Sequence, residues 1–370
     1  MILSEQDTLY AVDKINEAYG GISRIDDYFR MKKIERLKEI PPTLFGFSHE
    51  DSLFQDFSIH PEDMNFKIVQ PDHSTFNTLL ELVASFTYED APGKQMKLMI
   101  QETNTGKVVG FIKLGSPIIN SKPRNQWLGG VPDLTIFNKR AIMGFIIVPT
   151  QPFGFNYLGG KLLSLICSCH EVREMLNNKY DTEMCLFETT SLYGNIKGTS
   201  QYDGLKPYIR YRGDTESKFL LTLPDFIYHD LHKWFIEKNN GEQLIRKGAS
   251  SRKLKIQTKM ISIIKNSLKE HHPVKYTEFL EFIKSRQDVT TQKRFYMSTY
   301  GFENSREVIL GNTDTLVKAE NYDRFSLDSI VSWWRKKASK RYENLKEDGR
   351  LRSKLETWDI NNMDSIDIIR

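Results

Sequence analysis

The chain has 370 residues, of which 39% are hydrophobic and 27% are charged, a balance typical of folded proteins and not of disordered ones. No run of eighteen apolar residues occurs, and the first ten residues lack the basic and apolar regions of a secretory signal. The sequence therefore predicts a soluble protein with no membrane-spanning segment, and its length favours two domains or one domain with a large extension.

The net charge of +4 is distributed unevenly along the chain. Residues 1–240 carry 26 basic and 30 acidic side chains, whereas residues 241–370 carry 26 basic and 18 acidic ones. A basic segment favours a polyanionic partner, because each phosphate that it neutralises releases counterions. A solvated helical surface is the alternative explanation.

Taken in chain order, the hydrophobic patterns predict three segments. Residues 1–63 show amphipathic helix patterns and form a helical N-terminal flank. In residues 64–240 the pattern predicts a strand, a helix and a hairpin, and then a long apolar strand near 141–148. A glycine-containing loop, a helix and a short strand follow. A further strand at 218–224 and a helix complete this segment. Residues 241–370 form a helix-rich basic extension. The predicted fold class is α/β, with a mixed sheet and flanking helices.

The loop after the long strand is the most informative stretch. The strand ends at Val148 and Pro149, and a helix begins near Gly159, Gly160 and Lys161. A helix start of this kind can bind an anion, because its first N–H groups have no partner within the helix. The glycine spacing fits neither a Walker A loop nor a dinucleotide fingerprint. A tight turn between strand and helix is the alternative explanation.

Over residues 66–224, this order of elements resembles the GNAT acyltransferases, whose pyrophosphate loop follows the fourth strand and holds coenzyme A. The resemblance implies a GNAT-like sheet and acetyl-CoA or a related acyl-CoA as cofactor. The residues that the resemblance implies for contact with this cofactor lie at the end of the strand, in the loop and at the start of the helix: Ile147, Val148, Phe155, Asn156, Leu158, Gly159, Gly160 and Lys161.

A narrower resemblance covers about 60 residues downstream. The residues 188–190, Gly198 to Tyr202 and Tyr208 to Gly213 look like motifs of the Mom DNA-modification protein of phage Mu and of the DruA protein of Druantia defence systems. This resemblance implies modification of a nucleic-acid base, with DNA favoured as the substrate; the expected location is the cytoplasm, which is that of the host if the protein is phage-encoded. A non-catalytic DNA- or RNA-binding protein of a phage or defence system is the main alternative, and a nuclease or transposase-associated module is a weaker one.

Four residues are candidates for catalysis. Glu188, at the end of the short strand, is a candidate general base, and Tyr202 is a candidate proton donor to the leaving thiolate or a stacking platform for a base. Thr199 and Ser200 are candidates for holding a phosphate or a base edge. Each has an ordinary structural alternative: a salt-bridged acid, a core tyrosine and turn residues.

The three cysteines, Cys167, Cys169 and Cys185, are an odd number and form no metal-binding motif, so we expect buried thiols, no metal site and a reducing cytoplasm. The nucleic-acid contacts that we predict lie in basic clusters interleaved with aromatic residues: Arg252, Lys253, Lys255, Lys293, Arg294, Arg335, Lys336 and Lys337. The alternative is that the aromatic residues form the core of the extension.

Overall fold

The computed structural model describes residues 1–39, 50–85, 93–192, 198–215, 221–245, 253–289 and 293–358. The chain forms two compact units, and each unit is built from two separate stretches of sequence. The first consists of Met1–Glu39 and Ser217–Thr291, and the second of Ile40–Glu216 and Gln292–Arg370.

Seven strands and thirteen α-helices are present in the described ranges. The strands are β1 (Phe66–Val69), β2 (Gln95–Glu102), β3 (Val108–Gly115), β4 (Ala141–Pro149), β5 (Leu186–Ser191), β6 (Arg210–Asp214) and β7 (Arg294–Ser298). The helices are α1 (Glu5–Tyr19), α2 (Ile25–Glu39), α3 (His73–Val83), α4 (Lys122–Leu128), α5 (Leu134–Arg140), α6 (Phe153–Tyr157), α7 (Gly159–Ile166), α8 (His170–Tyr180), α9 (Asp225–Lys238), α10 (Lys253–His271), α11 (Pro273–Asp288), α12 (Ser305–Ile309) and α13 (Leu327–Glu347). None of these helices is long and apolar enough to cross a membrane.

The first unit is helical and contains α1, α2, α9, α10 and α11. Buried polar groups connect its two stretches of sequence: the Tyr19 hydroxyl donates a hydrogen bond to the Leu221 carbonyl, and the Gln257 amide donates to the Tyr19 hydroxyl at 3.0 Å. The backbone N–H of Leu223 donates to the Gln257 side chain at 2.8 Å. Helix side chains thus satisfy this backbone, and the described part of the predicted strand at 218–224 is irregular.

The second unit is built around one seven-stranded sheet in the order β1-β2-β3-β4-β5-β7-β6. Neighbouring strands are antiparallel except for β4 and β5, which are parallel. The protein is therefore mixed α/β, as predicted. The order strand, helix, hairpin, long strand, loop, helix, strand that the sequence predicts is found from β1 to β5.

The C-terminal residues belong to this unit and do not form a separate extension. Strand β7 lies between β5 and β6 within the sheet. On α13, Trp334 is fully buried, and its indole N–H donates to the Tyr157 carbonyl at 2.8 Å. The aromatic residue is part of the core, which is the alternative that the sequence left open. The two units thus divide the chain differently from the three predicted segments, because both cores join stretches that are distant in sequence.

Candidate nucleic-acid interface beside the glycine loop

The two parallel strands of the sheet separate before β4 ends. Strand β5 pairs with β4 only from Ala141–Leu186 to Gly144–Thr189, whereas β4 continues along β3 as far as Pro149. The side chain of Gln201 lies in the gap and donates a hydrogen bond to the Ile147 carbonyl at 3.2 Å. The chain itself therefore fills the opening at the end of β4.

The loop after β4 satisfies several of its own backbone groups. The N–H groups of Gly154 and Asn156 donate to loop carbonyls at 2.8 Å, and the N–H of Phe155 donates to the Gln151 side chain at 3.1 Å. Leu158, which adopts a left-handed conformation with φ of 56°, precedes the first residue of α7. Its carbonyl accepts the N–H of Lys161 at 2.9 Å.

The two glycines at the start of α7 face protein side chains. A Cβ atom on Gly159 would lie 2.5 Å from a ring carbon of Phe153, and one on Gly160 would lie 2.5 Å from the side-chain oxygen of Gln201. Close packing therefore explains both glycines. Phe153 and Gln201 thus fill the space on the side of the two glycines where a Cβ atom would stand.

Lys161 and the segment that contains Gln201 hold each other in place. The Lys161 ammonium donates to the carbonyls of Gln201, at 3.4 Å, and Asp203. Burial lowers the pKa of Lys161. In the described structure the Lys161 ammonium therefore binds backbone carbonyls.

Glu188, the candidate base, forms a fully buried ion pair with Arg124. The guanidinium lies 3.1 Å from the carboxylate, and neither side chain is exposed. Arg124 also donates to the carbonyls of Ile118 and Ile119, and it lies over the Phe137 ring at 4.3 Å. Burial raises the pKa of Glu188 to about 7, and the positive charge of Arg124 limits the rise. The pair anchors the chain that leads into α4.

Tyr202 lies on the other face of the sheet. Its hydroxyl contacts the Thr189 hydroxyl at 3.5 Å, and burial raises its pKa to about 12. Because consecutive side chains of a strand point to opposite faces, Glu188 and the Thr189–Tyr202 pair are separated by the sheet. The structure does not bring the candidate base and the candidate proton donor together.

Ser200 and Thr199 belong to the turn that precedes Tyr202. The N–H of Ser200 donates to the Asp203 carboxylate at 2.9 Å, and Thr199 is exposed. Asp203 also accepts hydrogen bonds from Arg294 and from the Tyr296 hydroxyl, both at 2.8 Å. These contacts fix the segment against β7.

A cationic cavity of about 330 Å³ lies beside the glycine loop. Its lining combines a residue predicted to bind a cofactor with one predicted to bind nucleic acid, and it contains no acidic side chain: Leu158, Lys337, Lys340, Arg341, Asn344, Leu345 and Arg350. The Arg341 guanidinium is fixed, since its Nε donates to the Phe155 carbonyl at 2.7 Å. Burial and the neighbouring Arg350 lower the pKa of Arg341. Arg350 itself pairs with Asp348.

Phe155 and Asn156, two more of the predicted cofactor residues, bind the C-terminal segment. The side-chain amide of Asn156 donates to the Arg352 carbonyl at 2.8 Å and accepts the Arg352 N–H at 3.1 Å. The guanidinium of Arg352 lies 4.1 Å from the centre of the Phe155 ring. These residues therefore hold the chain that supplies one wall of the cationic cavity.

The predicted nucleic-acid contacts divide into exposed and engaged residues. Lys255, Lys336 and Lys337 are exposed. Lys253 pairs with Asp225, and Arg335 donates to the Met64 carbonyl at 2.7 Å.

The remaining predicted nucleic-acid contacts are Arg294, Lys293 and Arg252. Arg294 pairs with Asp203, and Lys293 is half-buried, with burial lowering its pKa. Arg252 lies outside the described residues. Lys340 and Arg341 continue the basic run of α13 that contains the predicted Lys336 and Lys337. No pattern in the sequence indicated Arg350, whose position depends on the turn after that helix.

The three cysteines are buried and free, and burial raises the pKa of Cys185 to about 12. In the part of the chain that the structure describes, no group of three or more histidine, cysteine or acidic side chains is placed to hold a metal ion.

The buried ion pair gives the first testable prediction. At a pH well above 7, where Glu188 is ionised, Glu188→Gln and Arg124→Met should each lower the free energy of unfolding by about 3–5 kcal/mol, because each leaves one buried charge without its partner. The double variant should lose less than the sum of the two, since neither charge remains. Urea unfolding of the four proteins measures this, and additive losses would contradict the pairing.

The same pair predicts a pH dependence. The pKa of Glu188 rises on folding from 4.5 to about 7, so the folded state holds this proton more tightly than the unfolded state does. The stability that the protonated side chain contributes is complete below pH 4.5 and is lost as the pH rises through 7. The stability of the wild type relative to Glu188→Gln should therefore fall across this window in urea unfolding. A flat difference would contradict the buried environment.

The packing of the glycine loop gives a third prediction. Gly159→Ala should lower the free energy of unfolding by about 1–3 kcal/mol, because the added methyl group overlaps the Phe153 ring. Gly130→Ala is the matched control, since a Cβ atom there meets nothing within 4 Å, and it should change stability by less than about 1 kcal/mol. Thermal unfolding compares the two variants. Equal stability would mean that the space in front of Gly159 is open to a ligand.

Comparison with known proteins adds one finding. A protein-family model described as Druantia protein DruA matches residues 45–201, which include β1 to β5, the glycine loop, Thr199 and Ser200. No curated protein and no solved structure matches the chain. Residues 45–201 are thus similar to DruA, which supports that part of the resemblance and leaves its GNAT and Mom parts unconfirmed.

Proposed function

We propose that the protein is a phage-defence-related protein that binds nucleic acid without modifying it, and that backbone phosphates occupy the cationic cavity. The similarity of residues 45–201 to Druantia protein DruA supports the defence-related role. The cavity supports the ligand class. Catalysis is not part of the proposal, because Glu188 is fully buried and lies across the sheet from Tyr202.

The proposal of a phosphate ligand rests on the positive charges of the side chains that line the cavity. Lys337, Lys340 and Arg341 place three positive charges around one space of about 330 Å³, and Arg350 adds a fourth that the Asp348 carboxylate partly offsets. Like charges at such distances repel each other, so a bound anion lowers the energy of the group. Asn344 adds a neutral hydrogen-bonding side chain. A phosphate suits this set, since lysine and arginine both bind phosphate oxygens strongly.

Salt dependence tests the phosphate contacts. Lys337→Ser combined with Lys340→Ser should weaken binding to a labelled DNA duplex and should flatten the plot of log affinity against log salt. Each lost contact should reduce the slope by about 0.9. Folding should be preserved, because both lysines are exposed and exposed substitutions usually change stability by no more than about 0.5 kcal/mol.

A charge-matched variant is the control for this experiment. Lys67→Ser combined with Lys139→Ser removes two exposed lysines from β1 and α5, neither of which lines the cavity. Its slope should stay close to that of the wild type. Equal slopes for the cavity variant and the wild type would show that the cavity does not contact the DNA. An equal reduction of the slope in the cavity variant and the control variant would show that the effect depends only on overall charge.

Binding of an acyl-CoA is the second candidate, as part of a GNAT-like transferase. The order of elements from β1 to β5 and the separation of β4 from β5 support it. It requires Gln201 to leave the gap beside Ile147, since that side chain now fills the space. We therefore derive no catalytic step from it.

Thermal unfolding with acetyl-CoA tests this candidate. A ligand that binds the folded state stabilises it by about 2.7 kcal/mol at one hundred times its dissociation constant, so the midpoint should rise with concentration. Gln201→Ala should strengthen the effect by opening the gap. If acetyl-CoA moves neither midpoint, the protein does not use this cofactor.

A further inference from the structure

Strand β6 forms one edge of the seven-stranded sheet and carries an unusual run of exposed side chains. It pairs with β7 on one side, and in the described structure no strand pairs with its other side. Arg210 and Tyr211 are both exposed, and Arg212 is half-buried. Tyr211 keeps 43% of its surface accessible, which is a large exposed area for an aromatic residue on a strand.

The ring of Tyr211 is held in a fixed position. Its hydroxyl donates to the Asp214 carboxylate at 2.9 Å, and its ring centre lies 5.6 Å from that of the buried Tyr296. The guanidinium of Arg294 lies 4.6 Å from the Tyr211 ring centre and is itself held by Asp203 at 2.8 Å. A ligand that stacks on this ring therefore finds it already ordered, which reduces the entropy lost on binding.

The two arginines of β6 lie at the same edge but on the opposite face of the sheet from this ring, because Arg210 pairs with Met297, the neighbour of Glu188, and Arg212 contacts Trp127 of α4. The pairing of β6 with β7 is irregular between Tyr211 and Gly213, so Arg212 is the extra residue of a β-bulge. Bulges turn a side chain away from the regular alternation of a strand. The Arg212 guanidinium lies 5.7 Å from the Trp127 ring of α4, and Arg210 is exposed two positions earlier on the strand. The edge thus carries an exposed tyrosine, paired with Asp214, on one face and two arginines on the other.

We propose that Tyr211 stacks on an unpaired base of single-stranded nucleic acid, and that Arg210 and Arg212, on the other face of the same edge, contact phosphates of this strand where it passes over the edge of the sheet. Proteins that bind single strands combine aromatic platforms with basic side chains in this way, because every base has a π-face and every nucleotide carries a phosphate. The bases of a duplex are stacked on each other and do not offer that face. The inference stands on residues separate from the cationic cavity and shares only the ligand class with the proposed function.

Three nucleic acids separate the contributions of base and phosphate: a labelled oligothymidine, an abasic strand of the same length and a duplex. The wild type should bind the oligothymidine more tightly than the abasic strand, because only the former has bases to stack. This comparison needs no variant, so it tests the proposal even if substitution of Tyr211 disturbs the sheet.

Variants then locate the stacking contact. Tyr211→Leu should weaken oligothymidine binding by about 5- to 150-fold, the range expected for the loss of one stacked base. It should also remove the preference over the abasic strand and leave duplex binding unchanged. Tyr211→Phe should keep the preference. Tyr10→Leu is the control, since Tyr10 is also 43% exposed and lies on α1, and it should bind as the wild type does.

The outcomes distinguish this proposal from the cavity. No preference of the wild type for bases over the abasic strand would overturn the stacking, even if the duplex binds through Lys337 and Lys340. Equal losses of Tyr211→Leu on all three nucleic acids would overturn it as well, because the effect would not depend on unpaired bases. A preference that depends on Tyr211, with unchanged salt slopes for the cavity variant, would support the stacking and refute the phosphate cavity.

Discussion

The pairing of β7 with two neighbours is the constraint on which the rest of the second unit depends. Strand β7 is antiparallel to β5 on one side and to β6 on the other, so among the described strands β7 is the one that joins β6 to the sheet. Arg294 and Tyr296, both on β7, hold Asp203 and thereby the segment that fills the gap beside β4. A strand from the C-terminal part of the chain thus sets the position of the loop that the sequence associates with catalysis.

The sequence predicts elements well where the pattern is local. The long apolar strand that became β4 and the hairpin of β2 and β3 were found because their hydrophobic runs decide their structure on their own. Strands β6 and β7 were missed, since each has only five residues and β6 is largely polar. Their pairing comes from contacts between residues about eighty positions apart, for which a single sequence gives no signal.

In the candidate site, contacts between residues distant in sequence also decide where the side chains lie, and the sequence did not predict them. Gly159 and Gly160 were read as a backbone that a phosphate approaches, and in the structure Phe153 and Gln201 make that approach. A closely approaching phosphate and a closely packed side chain both require glycine, so the presence of glycine in the sequence does not distinguish them. Glu188 was predicted to end a strand, but β5 continues to Ser191, and the environment of Glu188 is set by Arg124, which lies 64 positions earlier. In the basic run on α13, Lys336 and Lys337 are exposed, whereas Arg335 donates to the Met64 carbonyl, and their contact with nucleic acid stays a prediction.

The bulge on β6 also bears on how the protein behaves at high concentration. An open sheet edge exposes unpaired backbone groups to the strands of other molecules, and a flat, apolar edge promotes aggregation. Here the edge carries Arg210 and is distorted at Arg212, so a second copy meets positive charge and an irregular backbone. Growth of the sheet from one molecule to the next is disfavoured at this edge, which helps the chain to stay dispersed while its aromatic surface remains exposed.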